Sequence, residues 1–534
     1  MFRTDDGATP RGVNAHLPGR LLPLAAALLT AIAVAGCGGS STSSAPPVLN
    51  VISTRPPTTI DPARLTDVPD DIIGNAYIQM TQFGSRPGPD GTTQIDQTKV
   101  LPYLAKSWTS ADDFKTWTFT LKPGLRFASG TPVDSAAVKF SYERALRFIS
   151  AYVINDGLTG NVTQIDTPDA NTVVIHLRQG NPQMPNVLAT APSSIVDPSV
   201  TQAQSDDYLS GHAAGSGPFR LAQYLPNQLM VLKKNPAFAK WNGSGPGADE
   251  IRVQYVQSDA TALLKARSGQ ADVVIGLSNQ AASSLKGNSA VRLLVNDTSE
   301  TEQVLLPWAK PPFNSQQVRQ AMAEAVPYDA IVSSVAKGWG RLFYGPLNPT
   351  MQYFDASLEP PVETNVAHAQ QLMKQAGVKT PVAVTLTINA GNPIHQQIAT
   401  LLQSAWKQIG VQLSVHEVPP AQYSDAIFGQ KVQAALRLDG PAYDEPGYFL
   451  GYDMVCRQNP NNICIPGADK ALAEARASSD TAANTARYAQ IQKLWRPLYP
   501  KIFLYSAQNV TVLSKAVDKW QYDLAQSMSA WSKK

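Results

Sequence analysis

Six histidines occur in the 534 residues, and they are the first side chains to test for chemistry. His176, His212, His368, His395 and His416 include no pair at the helical spacing that lets two rings converge on one metal ion, so no metal and no cofactor is expected. His176 and His416 stand opposite the apolar residues of their expected strands, which suits solvent-facing or locally hydrogen-bonded rings. Serine catalysis needs a nucleophile on a sharp strand-to-helix turn, and no G-x-S-x-G occurs. Ser216, inside GSG at 215–217, reads as a turn residue whose flanking glycines supply backbone angles closed to other residues. Neither G-x-x-x-x-G-K-[ST] nor G-x-G-x-x-G is present to cradle phosphate, which excludes ATP hydrolysis as a task of this chain. The reading is of a protein that is not an enzyme.

The three cysteines divide into two kinds of chemistry. Cys37 follows the apolar run LLPLAAALLTAIAVA at 21–35, which begins just after Arg20. Fifteen apolar-dominated residues match a secretory leader and fall short of a comfortable membrane span. VAGC at 34–37 resembles the bacterial lipobox, which implies a diacylated Cys37 at the start of the mature chain, held to the cell membrane by its acyl chains on the extracytoplasmic face. GGSSTSSAPP at 38–47 continues a helix poorly and serves well as a flexible tether. Cys456 and Cys464 could pair with a histidine for thiol chemistry, but an exported domain favours oxidation of two close cysteines, so a Cys456–Cys464 disulfide is expected.

Ligand-binding chemistry is better supplied than catalysis. DGPAYDEPGYF at 439–449 puts Asp439, Tyr443 and Asp444 on one loop: a carboxylate, a rigid amphipathic ring and a second carboxylate. Gly440 and Ala442 offer their main chain, and Trp308, ahead of KPPF at 310–313, offers a stacking surface. Both segments follow expected strands, and strand ends beside a cleft are where small molecules usually bind. The alternatives are a Pro/Gly-rich surface connector with Tyr443 packed as a lid, and a Trp308 that belongs to the core.

The elements that must position these residues follow from periodicity. Alternation predicts strands at 49–53, 116–122, 161–166, 172–178, 228–232, 251–256, 271–276 and 502–505. Asp134 caps a helix running to about 149, and Ser258 caps one that Gly269 stops. A helix through Val318, Met322, Ala325 and Val326 is interrupted by Pro327. Residues 381–416 read as strand, helix and strand with a parallel pair, then a helix from about 421 and a strand at 431–438. A last helix carries Tyr488, Ile491, Trp495 and Leu498 on one stripe. With 43% hydrophobic residues the chain can build more than one core. A formal charge of +3, without a dense Lys/Arg run, gives no support to a nucleic-acid partner. No apolar stretch after Cys37 is long enough to span a membrane, so the lobes are expected to be soluble and outside the cell.

LPYLAKSW at 101–108 and WTFTLKPGLRFASGTPVDSAAVKFSYERAL at 117–146 resemble the most recognisable signature of the extracellular solute-binding proteins of peptide/nickel ABC importers. GSGPFRL at 215–221, ALLKARSGQADVVIG at 262–276 and VRQAMAEAVPYDAIV at 318–332 are similar to further blocks in the same order. The resemblance implies an α/β, periplasmic-binding-protein-like, two-lobed (Venus-flytrap) fold with an extra subdomain inserted in the first lobe. The division expected is 1–36 leader, 37–47 tether, 48–295 lobe I with the insertion at about 70–200, 296–505 lobe II, and 506–534 returning to lobe I. It implies a monomeric receptor that captures short peptides by hinge closure and delivers them to an ABC permease with ATP-binding subunits. In peptide-binding members a carboxylate just before an acidic-proline segment takes the ligand's α-amino group. YDEP at 443–446 resembles that segment, but Ala442 precedes it, which leaves Asp439 and Asp444 as candidate substitutes. A metal chelate, haem, siderophore, sugar or opine-like ligand stays open, as does, on the residues alone, an exported hydrolase.

Overall fold

The computed structural model describes residues 48–65, 72–148, 150–156, 160–202, 204–358, 361–454, 456, 463–523 and 527–534; Cys37, the leader and the tether lie outside them. Two long strands organise the chain. Val291–Leu305 and Lys501–Ser514 pair antiparallel along most of their length and form the middle of an eleven-stranded sheet. On one side of them lie Ala434–Asp439, Val382–Asn389 and Val411–Val418; on the other lie Val273–Ile275, Val48–Ser53, Glu250–Tyr255, Leu229–Lys234 and Phe219–Leu225, and the short Gly340–Arg341 pairs with Lys501–Ser514 off this order. The architecture is α/β, in two halves on either side of the long pair.

The long pair changes register where it passes from one half to the other. Between Asp297 and Thr301 one strand advances four residues while its partner advances only two, from Gln508 to Ser506. Such a bulge bends the pair. Its freed polar groups are buried and satisfied locally: Thr298 Oγ1 donates to the Ala507 carbonyl at 2.7 Å, and Asn348 Nδ2 donates to Thr301 Oγ1 and Ser506 Oγ, each at 3.0 Å.

The half beyond the bulge contains the predicted parallel unit. Val382–Asn389 and Val411–Val418 pair in register with the helix Pro393–Lys407 between them. Asn392 caps that helix, and Gly410, with φ +77°, turns the chain back. Ile398, Leu402 and Trp406 bury one helix face in a core that also holds Phe313, Met322, Leu386, Tyr488 and Trp495. The other half packs Leu49, Val51, Phe219, Leu232, Val253 and Val273 around the shorter strands. A four-stranded sheet, Ala105–Ala111, Thr116–Leu121, Thr172–Leu177 and Val162–Asp169, carries a third core on Trp117, Phe119, Val138 and Tyr142. Its central strand alternates as predicted, with Trp117, Phe119 and Leu121 buried.

Three expectations need correction. The helix capped by Asp134 spans Ser135–Ala145, ending before 149 in a turn at residues 146–148. The last core strand is not a short segment at 502–505 but Lys501–Ser514, because its second half, NVTVLS, continues through the bulge into the other lobe. The glycines of GSG do not supply unusual angles, since neither has a positive φ. They let two backbones touch: a Cβ on Gly215 would stand 2.1 Å from the Ala76 carbonyl oxygen, and one on Gly217 2.5 Å from that of Tyr77.

The chain ends against the first half. Gln521–Tyr522 pairs with Thr93–Pro102, Trp520 stacks on Trp531 at 4.0 Å, and the Met528 N–H donates to Asn75 Oδ1 at 2.7 Å. No described helix is long and apolar enough to cross a membrane.

Candidate functional site

Ala434–Asp439 runs antiparallel to Val291–Leu305, with Asp439 opposite Thr301 and Ala435 opposite Leu305. The loop that begins at Asp439 therefore leaves the sheet at the bulge, between the two halves. Trp308 lies three residues beyond Leu305, at the other end of the same strand pair. Four strand residues alone span on the order of 13 Å, so the structure does not bring Trp308 to the loop. Sequence reasoning placed both at strand ends, but antiparallel neighbours end at opposite edges. Trp308 packs on the second lobe's core with the Arg319 guanidinium 4.5 Å from its ring centre.

Along the loop, burial alternates. Gly440 and Ala442 are exposed, whereas Pro441 and Tyr443 are buried and Asp444 is half-buried. Gly440 lies against Glu300 of the bulge, where an added Cβ would meet the Glu300 side chain at 3.2 Å. The exposed Gly440 thus stands beside Glu300, with the buried Glu302 and Asp439 close enough to act on that carboxyl and Asp444 further along the same loop.

These acids are not equivalent. Asp439 is already paired with Arg437 at 3.0 Å and accepts from Gln303 Nε2 at 3.2 Å. Glu302 is buried beside the buried His395, 3.3 Å away, so His395 is a core group rather than a surface ring. Burial pushes the Glu300 carboxyl up, partly offset by Arg55, with Glu302 and Asp439 adding to the rise. Burial also raises Asp444, against the lowering influence of the Ser299 hydroxyl and Arg86. One Asp444 carboxylate oxygen, Oδ1, is buried without a hydrogen-bond partner among the described residues.

The same loop reaches the other lobe. The Asp444 N–H donates to Gln97 Oε1, and Tyr443, 1% exposed, lies in the inserted sheet's core beside Tyr448. Tyr443 Oη donates to the Asp156 carboxylate, which also accepts from Arg476 at 3.0 Å. Sequence reasoning missed Asp156, Arg476 and Glu300, for none stands in a motif; Asp156 and Arg476 meet only because the lobes meet, and Glu300 comes to the loop only through the bulge. His368 and His176 each sit beside one carboxylate, Glu324 at 2.6 Å and Asp166 at 3.0 Å. No group of three metal-ligating side chains occurs among the described residues. The predicted disulfide is present between Cys456 and Cys464, with S–S 2.03 Å.

Residues 99–461 match the family described as bacterial extracellular solute-binding proteins, family 5. The chain belongs to that family. It is a solute-binding protein of the peptide/nickel ABC-importer class, working outside the cytoplasm by binding rather than catalysis. It is 27% identical, over 86% of its length and 89% of the relative's, to the Escherichia coli K12 periplasmic protein DdpA, named as a probable D,D-dipeptide-binding protein. Among solved structures it resembles the Helicobacter pylori periplasmic binding protein DppA in complex with the peptide STSA, with TM-score 0.79, 21% identity, and coverage of 91% of this chain and 98% of that one. It also resembles AgaA of A. tumefaciens R10 in complex with agropinic acid, with TM-score 0.76, 21% identity, and coverage of 91% and 99%. For this solute-binding protein the fold is shared with receptors of different ligands, so its own ligand must be argued from its own residues.

Proposed function

We propose that the chain is the lipid-anchored receptor of an ABC-type importer and that it captures short peptides between its lobes, closing about the bulge at 297–301 and 506–508. The observation that carries the reading is the loop at 439–445. It leaves the sheet at the crossing and exposes the main chain of Gly440 and Ala442, and its next residue touches the opposite lobe. Exposed main-chain donors and acceptors hydrogen-bond an extended peptide whatever its side chains, which favours broad specificity. Asp444 takes the ligand's α-amino group, with Glu300 beside it, because Asp439 is already paired to Arg437. Gly440 and Ala442 bind main chain, and Tyr443 shapes the loop from its buried position. Trp308 is not assigned to this site.

A ligand touching both lobes favours the closed form by the difference between its affinities for the two forms. The lobes are divided as 48–295 with an insertion at about 70–200, 296–505, and 506–534 returning to the first. The receptor acts as a monomer, tethered through Cys37, and hands its ligand to a permease with ATP-binding subunits. Calorimetry on ligand-stripped protein with a mixed di- to hexapeptide library tests the ligand class: binding supports it, and silence across the library refutes it. The alternative of an opine-like solute is favoured by Ala442, which withholds the carboxylate expected there, and by the likeness to AgaA. Agropinic acid is the control ligand in the same titration.

A further inference from the structure

A second cluster of charges lies across the lobes, away from the Gly440–Ala442 backbone. From the first lobe comes Asp156, buried, just after the short helix Ala151–Ile154. That helix is tied to its lobe through Ser150, whose Oγ donates to the Pro62 carbonyl at 2.8 Å, and through the packing of Ile154 on Ala63 and Ala145. Asp156 holds φ +53°, a left-handed conformation that Asp tolerates better than most residues. In that conformation both its backbone carbonyl and its carboxylate accept from Arg476 Nη2.

From the second lobe come Arg476, at the end of the helix Ala468–Arg476, and Glu445 and Tyr443 of the loop. Glu445 Oε1 accepts from Tyr488 Oη at 3.4 Å, and its Oε2 accepts from the Tyr448 N–H. Tyr353 stacks on Tyr488 at 4.8 Å, and Tyr152 of the first lobe meets Tyr448 edge-on at 5.9 Å. The groups facing Glu445 are therefore Arg476, Asp156, Tyr443, Tyr488 and Tyr353. Two buried carboxylates face one guanidinium, and the one that reaches it from the other lobe takes the hydrogen bonds.

We infer that Asp156, Arg476 and Glu445 form a proton-linked latch between the lobes, in which closure hands Arg476 to Asp156 and Glu445 takes up a proton. The inference rests on the hinge-closure reading above. When the lobes part, Asp156 leaves with the first lobe and Glu445 ionises against the freed Arg476. With the lobes in contact, as in this structure, burial first, then the charge of Asp156, pushes Glu445 up to about 7; burial raises Asp156 too, but Arg476 and the Tyr443 hydroxyl pull it back down. The sign follows: a carboxyl raised on closing favours the closed form below its raised value, and that advantage is lost as pH climbs through about 7. One proton changes the open-to-closed ratio by at most about tenfold per pH unit.

Small-angle X-ray scattering of the ligand-free full chain at pH 5.5 and pH 8 tests it. The closed fraction is expected to rise at least fivefold toward pH 5.5. E445Q, which cannot ionise, is expected to stay closed at both pH values. D156N, which weakens the grip on Arg476, is expected to open at both. A wild-type closed fraction that is flat with pH, or an E445Q protein that keeps the wild-type dependence, overturns the latch even if D156N does not fold. A single shape in every sample, unchanged when the peptide library is added, refutes hinge closure itself, which separates the two failures.

Discussion

Replacing Asp444 by Asn separates a ligand-binding carboxylate from a structural one. The side chain keeps its shape and loses only its charge. Asp444 is half-buried, burial raises its pKa, and Oδ1 has no partner among the described residues, so the ionised form is held at a cost in the empty protein. A raised carboxyl contributes stability that declines as pH rises above its ordinary value. At neutral pH Asp444→Asn should therefore be at least as stable as the parent. Binding should move the other way. A hydrogen bond to a charged partner is worth about 1.5–3 kcal/mol, so free-amino peptides should bind the variant roughly 10- to 150-fold more weakly. An N-acetylated version of the same peptide has no amine charge to lose and should bind both proteins alike. A variant that melts earlier with unchanged affinity, or that loses both peptides equally, would refute the assignment.

Three further outcomes are expected. Asp61→Asn strips the partner from the buried Arg144, which now meets Asp61 through two bonds at 2.8 and 2.6 Å; leaving that cation unpaired should cost about 3–5 kcal/mol, read by denaturant unfolding. Gly215→Ala drives a methyl to 2.1 Å from the Ala76 carbonyl and should cost about 3 kcal/mol, whereas Gly211→Ala, with nothing within 4 Å, should melt like the parent. Replacing Cys456 and Cys464 together by serine removes a short cross-link and should lower stability by roughly 2–3 kcal/mol, with the parent falling to the same value under reductant.

The strands and helices were legible because each buries one face. Alternation at 116–122 and helical spacing at 394–409 report burial directly, and the capping residues Asp134 and Ser258 mark where backbone donors need partners. The Cys456–Cys464 pair followed from proximity and compartment. What sequence could not carry was relative direction and pairing between distant segments. Trp308 and Asp439 both follow strands, yet antiparallel pairing sends them to opposite edges. The length of Lys501–Ser514 was hidden because its polar middle lies at the bulge, where SAQN satisfies neighbours instead of alternating. Asp156 and Arg476, 320 residues apart, carry no local signal at all. GSG was noticed for the right residues and the wrong reason, since close backbone approach and unusual φ leave the same glycine in a sequence.

The central claim is that a solute is enclosed at the crossing between the lobes, against the exposed backbone at 440–442 and the Asp444 carboxylate. Native mass spectrometry of gently purified full-length protein tests it most directly, with the retained species identified after denaturation. The account predicts a bound solute bearing a free amino group, of peptide size, that is lost from the Asp444→Asn variant. A retained solute without an amino group, or one held equally well by that variant, would contradict it.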